Sequence, residues 1–363
     1  MNQTKTIGTL TIIFLLFTFC SYSNPNVGRP ASPLPLAKRI KLDFSVYLDN
    51  FYTADYTNSL RFEQSFANLA AMIEDNVSNR QYRRTMLHLL RVLKLKKAAR
   101  NKKTKTKLYN DLAGISARMK LYPLAMQFCQ QEMQEENNAG LNDSEETKTP
   151  DTATDFNELD TSFSFPESSN NEKSKPVTAD EIIQSFDDAK EASEYALIIH
   201  VKQPVNGKRK AFTKIDNVGH MFITLIKYNS DQTYVSKSFG FYPNKNGLLA
   251  ATPLQPGTSS TFKDDALHDW DEAVGKFISY RRFFKIIKLL TRYEYKPYHL
   301  NENNCTDFGL SIASLSGIRI KETIGKWPFG KGNNPANAGQ SILENKLSNE
   351  MQDDSSALFV FKK

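Results

Sequence analysis

Val218-Gly219-His220-Met221-Phe222-Ile223-Thr224-Leu225 reads as a β-strand with a histidine at its start. Further along, Asn303-Asn304-Cys305-Thr306-Asp307-Phe308 reads as a loop turning into a helix with a cysteine in its first turn. A thiol needs a nearby base to become a thiolate, and a helix N-terminus lowers its pKa further. A strand-borne histidine facing such a cysteine is the minimum equipment of a nucleophile site. Separately, each motif has a plainer reading: a core histidine at a strand start, and a half-buried cysteine.

Around these motifs the second half of the chain reads as alternating strands and helices. Glu194 to Val201 is a strand, and Gly219 to Tyr228 and Thr233 to Tyr242 are two more, joined by the turn Asn229-Ser230-Asp231-Gln232. Pro243 to about Ser260 is a long loop, Asp264 to Val274 leads into a strand over Lys276 to Arg281, and Arg282 to Tyr293 is a helix. Thr306 to Leu315 forms the cysteine helix, with Phe308, Ile312 and Leu315 on one face. Gly325 to Gly339 reads as a glycine- and asparagine-rich surface loop, and Ala357 to Phe361 as an edge strand.

Gly219-His220 on a strand, Ser238-Phe239-Gly240-Phe241-Tyr242-Pro243 on the next, and Asn304-Cys305-Thr306-Asp307-Phe308 opening a helix resemble a circularly permuted papain-like domain. In NlpC-type hydrolases of bacterial cell walls the cysteine precedes the histidine. In the permuted branch, which includes lecithin:retinol acyltransferase-like proteins, the histidine comes first, as it does here. The resemblance spans about Glu194 to Ile320. It implies an α+β fold with an antiparallel sheet packed on helices, and a thiol hydrolase or acyltransferase acting on an amide or ester, with Cys305 as nucleophile and His220 as base. Cell-wall peptide is the favoured substrate, and a non-catalytic binding module of the same fold is the alternative. Such sites orient the histidine with a polar group on the neighbouring strand. Strand pairing brings Gly240 to Tyr242 opposite His220, where Tyr242 or Ser238 could serve and no acid is evident. His299, six residues before Cys305, is a substitute base or an exposed loop residue, while His268 and His200 rank lower. No metal-ligand cluster or phosphate loop is present, and no cofactor is expected.

The first half of the 363-residue chain is organised differently. Residues 1–23 read as a signal peptide, with Ile7 to Phe19 as a short apolar core and Ser21-Tyr22-Ser23 before the cut. Lipidation at Cys20 is the alternative to cleavage. Either implies export to a periplasmic, extracellular or surface-anchored location, with no spanning segment left in the mature chain. Residues 24–40 read as an extended tether and residues 41–136 as a helical domain. Within it, residues 108–133 resemble a tetratricopeptide repeat, a hairpin suited to docking a protein partner or simply an ordinary helical pair. Residues 137–178 are polar and acidic, the composition of a disordered linker, and the papain-like domain is expected over 179–363.

The net charge of +7 is uneven, with basic residues crowded between Arg91 and Lys107 and an acidic stretch from Glu132 to Glu172. A basic cluster suits an acidic polymer or anionic lipid, or forms a solvated helix face, and export argues against nucleic acid. Three cysteines are too few for a disulfide framework. Cys129, inside an apolar helical pattern, reads as a small buried hydrophobe, whereas Cys305 has polar neighbours.

Overall fold

The computed structural model describes residue 87, residues 102–137, 174–211, 218–231, 233–244 and 247, and residues 249–349 and 357–362. The expected signal peptide, Cys20, the tether and nearly all of the helical domain before residue 102 lie outside these residues. What is described is a mixed α+β fold of six helices around a seven-stranded antiparallel sheet.

Two helices come first, α1 (Lys102–Arg118) and α2 (Tyr122–Asn137), joined by a turn in which Lys120 takes a left-handed φ of 63°. Then follow β1 (Pro176–Val177), α3 (Ala179–Gln184), β2 (Ala192–Lys202), β3 (His220–Asn229), β4 (Tyr234–Pro243), β5 (Gly257–Thr258), β6 (Ser260–Asp264) and β7 (Glu272–Ile278). The rest comprises α4 (Tyr280–Tyr293), β8 (Tyr298–His299), α5 (Cys305–Leu315), β9 (Ile318–Ile320), β10 (Ile324–Trp327), β11 (Gly330–Asn333), α6 (Pro335–Leu343), β12 (Leu347–Asn349) and β13 (Phe359–Lys362). The large sheet runs β1-β6-β4-β3-β2-β7-β13. Pro176, which has no amide hydrogen to donate, sits on its outermost strand, where such a residue is tolerated.

Both faces of the sheet are covered, and this explains why every residue of β3 is buried. On one face Leu197, Ile199, Met221, Ile223, Leu225, Phe239 and Phe241 pack under Ile286 and Leu290 of α4, Phe308 and Ile312 of α5 and Ala338 and Ile342 of α6. On the other, Ala196, Ile198, Phe222, Ile226 and Ala273 meet Leu112, Tyr122, Ala125, Met126 and Phe128 of the α1–α2 hairpin. The approach is close: a side chain on Gly275 of β7 would run into the Met126 sulfur. The Tyr228 hydroxyl donates to the Pro123 carbonyl at 2.7 Å, and the Gln130 amide donates to Glu194 at 2.8 Å. The hairpin expected to belong to a separate helical domain therefore shares a core with the sheet, because its apolar face and the second face of β2 and β3 each require a cover.

Several boundaries differ from the sequence reading. Ahead of the boundary expected at 179, β1 already pairs with β6 and so belongs to the sheet. The strand expected over Lys276 to Arg281 is β7, ending at Ile278, where Ser279 becomes the N-cap of α4. The segment read as a surface loop over Gly325 to Gly339 holds the β10–β11 hairpin and the start of α6. Asn334 caps α6 by accepting from the Asn337 amide at 3.0 Å, and Pro335 occupies the first turn.

Candidate active site

His220 opens β3, and the local backbone sets its position. Gly219 has a φ of 73°, and a side chain there would strike the Lys202 carbonyl and Pro204. Only glycine turns the chain so tightly into the strand. From this start the His220 ring lies on the same face as Phe222, parallel to it at 5.9 Å between centroids. Gly240 of β4, the partner of Phe222, leaves that face bare beside His220. A Cβ on Gly240 would collide with both His220 Nε2 and Asp265 Oδ2.

Asp265 fills the position that the sequence reading left without an acid. It follows β6 directly, is fully buried, and its Oδ2 lies 3.1 Å from His220 Nε2. Its other oxygen, Oδ1, accepts from the Tyr242 hydroxyl at 2.6 Å and from the Ser174 hydroxyl at 2.7 Å. Tyr242, the candidate orienter, therefore holds the acid, while its ring lies 4.2 Å from the His220 ring. Ser238 serves elsewhere: its hydroxyl bonds Thr224 at 2.7 Å, and Thr224 in turn meets His200 Nε2 at 2.9 Å. Asp265 could have been found in the sequence had Ser260–Asp264 been read as a strand beside β4, since its end then lies against the histidine.

Cys305 begins α5. Asn304 is the N-cap, its side chain accepting from the Thr306 and Asp307 amides, and Asp307 reaches back to the Asn304 amide at 2.9 Å. This capping box fixes the helix start and leaves the Cys305 amide outside the cap. The helix packs on β3 where Gly309, having no side chain of its own, makes room for the Met221 thioether. Cys305 and His220 are each only 6 % exposed.

The electrostatics tie the three groups together. Burial alone would lower the His220 pKa, but the charge and hydrogen bond of Asp265, together with Cys305, lift it to about 9. Burial would raise the Cys305 thiol, yet the hydrogen-bonding and charged His220 ring, with the Met221 amide and the Thr306 hydroxyl, brings it below its ordinary value. Burial likewise works against an ionised Asp265, and the His220 charge outweighs it, so the carboxyl stays low. An imidazolium flanked by a thiolate and a carboxylate satisfies all three directions. Because Asp265 occupies Nε2, the other ring nitrogen is left for the thiol.

The remaining candidates separate clearly. Tyr298, which the sequence reading passed over, is buried against Cys305, and burial with the Cys305 charge keeps its phenol protonated. His299, in β8, is partly exposed and its Nδ1 lies 4.0 Å from the Glu302 carboxylate, whereas His220 is the histidine hydrogen-bonded to Cys305. The His268 ring stands 5.0 Å from that of His220, its Nδ1 bonded to the Asp269 carbonyl at 2.7 Å. His200 is buried under Tyr122 and Phe222, and burial pushes its pKa down to about 3, as suits a neutral core histidine. Cys129 is buried in the core under the hairpin, where burial pushes its thiol up. Among the described residues no three His, Cys, Asp or Glu side chains converge as metal ligands would, and no helix is long and apolar enough to cross a membrane. No family model, curated protein or solved structure matches this chain.

Proposed function

We propose that the chain is a thiol-dependent hydrolase or acyltransferase acting on an amide or ester bond, built on a permuted papain-like domain. The observation that carries this reading is His220 held between Asp265 and Cys305. The Cys305 thiolate attacks the substrate carbonyl carbon, forming a C–S bond while the carbonyl electron pair moves onto oxygen. Collapse of that intermediate breaks the C–N or C–O bond, and the His220 imidazolium gives its proton to the departing amine or alcohol. Water or an acceptor hydroxyl then loses a proton to His220, attacks the thioester carbonyl and returns the thiolate. Asp265 keeps the ring oriented and stabilises its charged form without taking the proton.

The oxyanion needs donors at the reacting carbon. Asn304 engages the Thr306 and Asp307 amides and the Tyr298 hydroxyl accepts from the Cys305 amide, so a substrate oxygen at the helix start would take the Cys305 amide by displacing that hydroxyl. Cell-wall peptide is the substrate we favour, since an exported protein would meet it. Incubation with an activated ester, followed by mass spectrometry, tests the reading. An acyl group on the Cys305 peptide that is released by water or amine, and is absent from Cys305→Ala, is the expected result. Acylation spread over surface lysines with Cys305 untouched would leave a binding module with this geometry and no turnover.

A further inference from the structure

α4 carries a second surface that the proposed chemistry does not use. Its sequence, Tyr280 to Tyr293, contains no acidic residue. Phe283, Ile286 and Leu290 face the core, and Arg282 turns inward to donate to the Ser316 carbonyl at 2.6 Å. The outward face presents Arg281, Lys285, Lys288 and Arg292 at successive helical spacings, and Lys296 just beyond extends the row. Interleaved with them are Tyr280, 63 % exposed, Phe284, 44 % exposed, and Tyr295, 83 % exposed. The Tyr280 and Phe284 rings stack at 6.0 Å, and Lys288 Nζ stands 4.7 Å over the Phe284 ring. Of the nearby carboxylates, Glu294 accepts from the Ala179 amide of α3 at 3.2 Å, while Glu302 and Asp307 share with Lys296 the groove of about 550 Å³ between α4 and α5, leaving Arg281, Lys285, Lys288 and Arg292 as the row's cations outside that groove.

We infer that this face of α4 is a docking surface for an anionic lipid bilayer. The cations match phosphate headgroups, and each Lys or Arg near such a surface adds a measurable increment of attraction. The exposed rings decide against a polyanion dissolved in water. Such a polymer would neutralise the charges and leave Phe284 hydrated, whereas the bilayer interface receives an aromatic ring alongside the cations. A helix seated this way lies in the plane of the surface, which fits its fourteen residues and one-sided exposure.

Cosedimentation of the full chain with vesicles tests this. The vesicles are phosphatidylcholine alone, or phosphatidylcholine with about one-third phosphatidylglycerol to supply the surface charge. The apolar stretch Ile7 to Phe19 is common to every variant, so comparisons between variants cancel its contribution. Salt-sensitive binding to the anionic vesicles is expected. The pair Arg281→Gln with Lys285→Gln should weaken it roughly 25-fold, about fivefold per cation. Phe284→Ser should weaken it while leaving the salt dependence in place. The pair Lys208→Gln with Lys210→Gln, an equal charge change on a loop away from α4, should stay within about twofold of the parent. Should the α4 pair lower the thermal midpoint, Lys285→Gln and Lys288→Gln are read singly. Unchanged binding in the α4 variants, an equal loss in the loop pair, or binding to heparin or an oligonucleotide in place of vesicles would each overturn the assignment.

Discussion

Asp265 Oδ2 lies 3.1 Å from His220 Nε2, and the acid is itself gripped by the hydroxyls of Tyr242 and Ser174. A fully buried carboxylate so placed makes the imidazolium the resting form, and an imidazolium beside Cys305 keeps the thiol pKa down. Asp265→Asn retains an acceptor for both hydroxyls and removes the charge. His220 should then fall from about 9 toward its ordinary 6.5, and the Cys305 thiol should rise. Alkylation of Cys305 by iodoacetamide near neutral pH should slow by about tenfold for each unit the thiol rises. An unchanged rate–pH profile in this variant would remove Asp265 from the site.

Gly240 tests the same contact from another strand. A methyl group there collides with both partners of the Asp265–His220 bond. Gly240→Ala should slow Cys305 alkylation as Asp265→Asn does, at a stability cost of about 1–3 kcal/mol for the added volume. Retention of the parental pH profile, with the fold intact by circular dichroism, would show that the contact tolerates the methyl and that the glycine serves another purpose.

The α1–α2 hairpin should be inseparable from the sheet. Phe128 is buried in the shared core, and Phe128→Ala should destabilise the protein by about 3–5 kcal/mol. Proteolysis within residues 138–173 should nick the chain and leave two fragments that elute together. Lys120 donates to the Leu267 carbonyl in the segment following Asp265, so release of the hairpin should also slow alkylation of Cys305. Fragments that part on a sizing column, with the second still reactive, would contradict this.

Glu272 is buried on β7 near Asp271, and burial together with that neighbouring charge lifts its carboxyl from 4.5 to about 7. A raised folded pKa means that the stabilising proton is fully bound below about 4.5 and lost as pH climbs through about 7. The parent should therefore lose on the order of 3 kcal/mol relative to Glu272→Gln as the pH passes through that window, a figure that already contains the opposing pull of Lys202 and Lys362. Parallel stability curves for the two proteins would show that the carboxyl titrates normally.

The parts of the fold that were legible in the sequence are those whose signal is local. The strand beginning at His220 shows as an apolar run, the helix beginning at Cys305 by its Asn304 cap and apolar face, and the hairpin between β3 and β4 by its polar turn. The acid was hidden because it becomes the partner of His220 only after β6 pairs with β4, an alignment fixed by Phe239↔Asp264 and Gly240↔Lys263. Gly-Asn composition disguised the β10–β11 hairpin, in which Gly330 and Gly332 pack against Asn301. The attachment of the hairpin was readable in principle. The run Met221-Phe222-Ile223-Thr224-Leu225-Ile226 does not alternate as a one-sided strand would, which implies a cover on both faces.

The central claim is that His220 holds Cys305 as a reactive thiolate, and the rate of Cys305 alkylation against pH tests it most directly. In the parent, the alkylation rate should inflect below the ordinary thiol value of 9.0. In His220→Gln the buried thiol loses its cation, so the inflection should move up and the near-neutral rate should fall at least about tenfold. Superimposable profiles for the two proteins, both inflecting at or above the ordinary thiol value, would contradict the account.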